Sequence, residues 1–71
     1  MYSITVYNSP DDTINLGSKL SFAAATMRMF YYFQKTHLLV SMADHNHGES
    51  FTYYWKDGNK PTVRVVIWKE N

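Results

Sequence analysis

The sequence predicts an α+β domain: one long helix packed on a three- or four-stranded antiparallel sheet, in the order β-α-β-β-β, with a C-terminal β-hairpin. Three observations carry this. Residues 19–35 are rich in Leu, Ala, Met, Lys and Gln and contain neither Gly nor Pro, as a helix interior requires. The flanking segments alternate apolar and polar residues with the period of a strand. Asp57-Gly58 separates two runs rich in β-branched and aromatic residues, and that dipeptide tolerates the positive φ of a tight hairpin turn.

The elements follow in order. Residues 2–7 place Tyr2, Ile4 and Val6 on one face and Ser3, Thr5 and Tyr7 on the other, a half-buried strand. Asn8-Ser9-Pro10-Asp11-Asp12 interrupts it. A hydroxyl followed by Pro and two acids is a helix-start signal, so two readings arise. Either a short helical turn runs over residues 10–16 and stops at Gly17, or this stretch is a loop and Ser18 caps the long helix. The second is the expectation, with capping and turn chemistry rather than a catalytic carboxylate pair for Asp11 and Asp12.

The helix carries two apolar stripes. Leu20, Ala23, Ala24, Met27, Phe30 and Tyr31 recur three and four apart, while Phe22, Met29 and Phe33 lie to one side. Together they cover about 220° of helix surface at about 100° per residue. A helix on one sheet needs an apolar face only ~100° wide or a little more. The first stripe is expected to face the sheet, and the second is surplus.

After the helix, Leu38, Val40 and Met42 alternate with Leu39 and Ser41, giving a strand over residues 38–43, with a continuation of the helix as the alternative. Residues 44–50 form a polar loop. Residues 51–56 and 62–69 are the hairpin strands, with Pro61 at a strand start, where a missing N–H does least harm. The expected core is Ile4, Val6, Leu20, Ala24, Met27 and Tyr31 with Phe51, Tyr53, Trp55, Val63, Val65 and Ile67. The other sheet face carries Thr5, Tyr7, Tyr54, Lys56, Arg64 and Trp68, and one helix cannot cover it as well.

Seventy-one residues make a single domain, 1–71, and the chain reads as complete. A chain of this size buries only ~60% of its unfolded surface, so its reserve of stability is small. With no cysteine, neither disulfides nor thiolate metal sites add to it. Aromatic residues at 17% supply the area instead. Residues 1–7 show neither a basic n-region nor an apolar core of signal length, and no apolar run reaches membrane-spanning length, so a soluble cytoplasmic protein is the default expectation.

Chemistry is sparse. Asp44-His45-Asn46-His47-Gly48-Glu49 is a His-x-His cluster with carboxylates, but a metal needs three or four ligands in fixed geometry and one short Gly-containing loop fixes little. No metal, no cofactor and no catalytic residue is expected. Gly17, Gly48 and Gly58 are isolated, so no phosphate loop exists, and no Ser stands in a nucleophile-elbow context. The expectation is a non-enzymatic protein.

Two binding readings remain. Interface cores are enriched in Tyr, Trp, Phe, Met and Arg, and this chain has more of them than one sheet and helix can cover. It reads first as a small protein–protein interaction module that regulates or inhibits a larger protein, comparable in size and composition alone to phage and mobile-element accessory proteins. The expected contact surfaces are the helix flank Phe22, Met29 and Phe33, pairing with its own copy in a homodimer, and the sheet face Tyr7, Tyr54, Arg64 and Trp68. A rival for the flank is intramolecular: residues 13–16 fold back and cover it with Ile14 and Leu16. The alternative function is single-stranded nucleic-acid binding on the aromatic sheet face, weakened by a net charge of only +1.

Overall fold

The computed structural model describes residues 1–45 and 47–70. Among them the order is β1 (Tyr2–Ser9), β2 (Asp12–Leu20), α1 (Phe22–Phe33), β3 (Leu38–His45), β4 (Ser50–Lys56) and β5 (Val63–Lys69). The five strands form one sheet in the order β2-β1-β5-β4-β3, and every neighbouring pair is antiparallel. No helix among the described residues is long and apolar enough to cross a membrane.

The α+β class, the single helix and the C-terminal hairpin are as the sequence predicts, but the sheet has one strand more than the three or four expected. Asp12–Leu20 is a strand, not a loop or a helical turn. Pro10 and Asp11 form the turn between β1 and β2, with Ser9 opposite Asp12. The helix-start signal at Ser9-Pro10-Asp11 therefore serves a hairpin, since Pro and Asp suit turns as well as helix starts.

The helix also begins later than residue 19. Gly17 (φ 152°) and Lys19 (φ 55°) break regular geometry, and Ser21, in extended conformation, is the N-cap. Its Oγ accepts from the Ala24 N–H at 3.1 Å, satisfying one of the donors a helix start leaves open.

The helix is rotated relative to expectation. Ala25, Met29 and Phe33 are buried, with Phe22 packed beside them. Met27 and Tyr31, placed in the core from the sequence, are 65% and 78% exposed. Both stripes are apolar, so hydrophobic pattern alone does not choose between them. Two contacts fix the rotation: the Phe33 ring stacks on Trp55 with centroids 4.9 Å apart, and Phe22 wedges between Tyr2 and Phe51 at 5.3 and 4.6 Å. The fully buried strand residues Ile4, Val6, Val65 and Ile67 complete the core. Burying each such side chain contributes roughly 1.5–3 kcal/mol.

The helix lies over β2, β1 and β5, and its last turn reaches Trp55 of β4. β3 stands at the edge beyond it.

Candidate protein-interaction surface

The flank Phe22, Met29 and Phe33 lies inward. Met29 is 0% exposed and Phe33 1%, so neither offers contact to a partner. The cover is partly the segment named as its rival: Leu16 of β2 packs against the core, although Ile14 stays 36% exposed.

The rotation that buries this flank turns the other stripe outward. Met27, Phe30, Tyr31 and Tyr32 are all exposed. Arg28 is the only charged residue of α1, and its guanidinium is turned toward β2, where Nη1 donates to the Leu16 carbonyl at 2.9 Å. Leu16, Arg28, Tyr31 and Tyr32 line a shallow concavity of about 310 Å³. The outward face of an ordinary surface helix is charged or polar. This one offers Ala23, Met27, Phe30 and Tyr31.

A second apolar group lies at the sheet edge. Leu38, Leu39, Val40 and Met42 of β3 are exposed. The ladder to β4 skips Val40: Leu39 stands opposite Trp55 and Met42 opposite Tyr53, both on the helix side of the sheet. The simple alternation read from the sequence is broken there by a bulge, which takes one residue out of register. Phe30 meets Trp55 edge-on at 5.3 Å, so helix face and edge strand adjoin across the Trp55 indole. Trp55 Nε1 is buried and has no hydrogen-bond partner among the described residues.

Three of the four expected sheet-face residues fall in one row, and the fourth stands apart on the same face. Tyr7, Arg64 and Tyr54 stand opposite one another across β1, β5 and β4, and Trp68 lies between Ser3 and Ser50. The Arg64 guanidinium carbon lies 4.6 Å above the centroid of the Tyr7 ring, a cation–π contact. Tyr7, Asn8, Ser9, Pro10, Thr62 and Arg64 border a groove of about 310 Å³.

Asp44 and His45, expected in a polar loop over residues 44–50, belong to the end of β3, and Ser50 begins β4. Asp44 Oδ1 accepts from the Gly48 N–H at 2.9 Å, His47 takes a positive φ of 51° and Gly48 one of 90°. Asn46 lies outside the described residues. Among the described residues no group of three His, Asp or Glu side chains converges.

Two ionisable groups depart from their usual range. Burial raises the pKa of the Tyr53 hydroxyl, and the Asp44 carboxylate adds to the effect. The Glu70 carboxyl is held below its usual range by the Lys19 backbone N–H and then by Ser3. Both belong to the scaffold rather than to a cleft.

Compared with known proteins, the chain matches no family model, no curated protein and no solved structure.

The exposed helix face was missed from the sequence because both stripes share one composition. The signal that finds it is Ser21. Once Ser21 is the N-cap, Phe22 is the first helical residue, and the aromatic pairs with Tyr2 and Phe51 turn the Phe22 stripe inward.

Proposed function

We propose that the chain is a non-enzymatic protein–protein interaction module, a small regulator or inhibitor that docks on a larger protein through the outward face of α1, and that it acts in the cytoplasm. One observation carries the reading: Met27 and Tyr31 stand 65% and 78% exposed at the centre of a helix face whose one charged neighbour, Arg28, is tied to the Leu16 carbonyl. Large apolar side chains grouped on a surface mark interaction sites, Tyr and Met are both enriched at interface cores, and Tyr gives contact area at low conformational cost. The absence of cysteine suits a reducing compartment.

The test is comparative capture. The wild-type chain and a Met27→Glu/Tyr31→Glu variant, matched by circular dichroism, are immobilised and exposed to extract of the host that encodes them. The expected result is a protein retained by wild type, lost on the variant and indifferent to nuclease. Retention that nuclease abolishes, or that the variant keeps, overturns the reading.

A second reading, single-stranded nucleic-acid binding, is favoured by the Tyr7–Arg64 groove, which pairs an aromatic ring with a cation as stacking platforms do. Against it, the Arg64 guanidinium already occupies the face of Tyr7 on which a base would stack. Fluorescence titration with an oligonucleotide, read for Trp68 quenching that falls with salt, decides it.

A further inference from the structure

The two edges of the sheet are built differently. At β2 the ladder to β1 breaks register three times, and Gly17 and Lys19 take positive φ. The backbone groups there are also occupied by side chains. The Leu16 carbonyl accepts from Arg28, the Gly17 N–H donates to Asn15 Oδ1, and the Lys19 N–H donates to Glu70 Oε1. Irregular, side-chain-capped edges resist pairing with another strand.

β3 has little of this protection. Its ladder to β4 breaks once, and none of its residues has positive φ. Residues 38–43, Leu-Leu-Val-Ser-Met-Ala, contain no charge, Pro or Gly. An uncharged β-prone segment of about six residues on an open edge is an aggregation hazard unless something covers it.

The bulge decides what fits. Because Val40 is skipped, Leu39 and Met42 share the helix side of the sheet, whereas Leu38 and Ala43, opposite Lys56 and Thr52, share the other. An antiparallel two-fold pairing centred between Val40 and Ser41 sets Leu39 opposite Met42 of the second copy and Leu38 opposite Ala43 of the second copy, apolar against apolar on matching faces. A shift of one residue would set side chains of opposite faces against each other. The apolar residues of β3 are therefore complementary to their own copies in one register.

We propose that β3 pairs antiparallel with β3 of a second copy of this chain, joining the two five-stranded sheets edge to edge with both helices on one face. The inference deepens the reading of the chain as an interaction module by naming the partner of this edge. It leaves the outward helix faces free for the larger protein.

Sedimentation and light scattering test it on the full chain. Wild type is expected at twice the 8.3 kDa of the single chain. Met42→Lys, at a side chain already 54% exposed, is expected to remain folded by circular dichroism and to return to the single-chain mass, because an edge lysine blocks strand pairing. The chain has no native thiol, so cross-linking reads the register directly. A mixture of Leu39→Cys and Met42→Cys proteins is expected to form a disulfide-linked dimer, since opposed Cα atoms in antiparallel strands stand about 4.5–5.5 Å apart, within bridging range. Each variant alone sets its thiols three residues apart, ~10 Å along the strand, and is expected not to cross-link. Three results overturn the proposal: wild type at the single-chain mass even in concentrated solution, a dimer that survives Met42→Lys, or a dimer that Tyr31→Glu dissolves instead. A monomer that still captures a larger protein would sink this inference alone. A β3-paired dimer that captures nothing would sink only the docking reading.

Discussion

Arg28 Nη1 donates to the Leu16 carbonyl at 2.9 Å, and the same nitrogen lies 2.8 Å from where a Cβ on Gly17 would stand. The guanidinium thus fastens the helix to β2 through a space that only glycine leaves open. Gly17 also holds φ 152°, a region side chains rarely adopt. Gly17→Ala is expected to destabilise the fold by more than about 1 kcal/mol. Arg28→Ala alone should cost about 1 kcal/mol for one hydrogen bond. The double variant should cost less than the two together, because one clash partner is gone. Urea denaturation of the three proteins checks this, and strict additivity would contradict it.

Val65 is fully buried between β1 and β4. Val65→Asp places an unpaired charge there, a cost of several kcal/mol, against a total stability of about 5–15 kcal/mol for an ordinary domain and less reserve at this size. The variant is expected to be unfolded at 25 °C by circular dichroism; an unchanged thermal midpoint would show the sheet faces to be misassigned.

Trp55 Nε1, buried without a hydrogen-bond partner among the described residues, makes a distinct prediction. Removing the indole altogether in Trp55→Ala should cost ~3–5 kcal/mol. Trp55→Phe leaves an aromatic ring against Phe33 and Phe30 and removes a buried donor without a partner, so it should cost about 1 kcal/mol or less, the lost volume being partly offset by the relieved desolvation. Thermal denaturation of both variants gives the comparison.

Stability should fall at both ends of the pH scale, for identifiable reasons. The folded-state pKa of Glu70 is lowered by the Lys19 N–H and Ser3. Its contribution is therefore present above the ordinary value of 4.5 and is lost as pH falls through the lower folded-state value. Tyr53 is raised by burial and by Asp44. Its contribution is present below the ordinary value of 10.0 and is lost as pH rises through the higher folded-state value. Glu70→Gln should flatten the acid limb of a melting-temperature profile and leave the alkaline limb unchanged, with Tyr53→Phe doing the reverse.

β1, β4 and β5 were legible because their alternation is strict and one face of each is apolar. The aromatic sheet face followed from the same alternation, which is why Tyr7, Arg64 and Tyr54 fall in one row. β2 was not legible, for two local reasons: Ser9-Pro10-Asp11 suits a helix start and a hairpin turn equally, and Gly17 and Ser18 weaken the strand pattern just where its register breaks. The outward helix face was hidden by two stripes of the same composition, separated only by contacts of Phe22 and Phe33 with distant strands. The edge position of β3 is not a local property at all. It follows from β5 lying between β1 and β4, which leaves β3 with one neighbour.

That placement of β5 also sets the order in which the molecule can be made. The central pair of the sheet joins its first strand to its last, Tyr2 opposite Lys69 and Tyr7 opposite Arg64. Every other ladder closes a shorter loop. The β1–β2 hairpin, α1 and the β3–β4–β5 hairpins can form locally, but the β1–β5 ladder closes last, and until then Met29 and Phe33 have only part of their cover. Loops this long are slow to close, and folding dominated by such pairs takes milliseconds to seconds rather than microseconds. The apolar face of the helix therefore stays partly uncovered until that long-range ladder closes, so the rate of that closure, more than equilibrium stability, sets how long Met29 and Phe33 are exposed during folding.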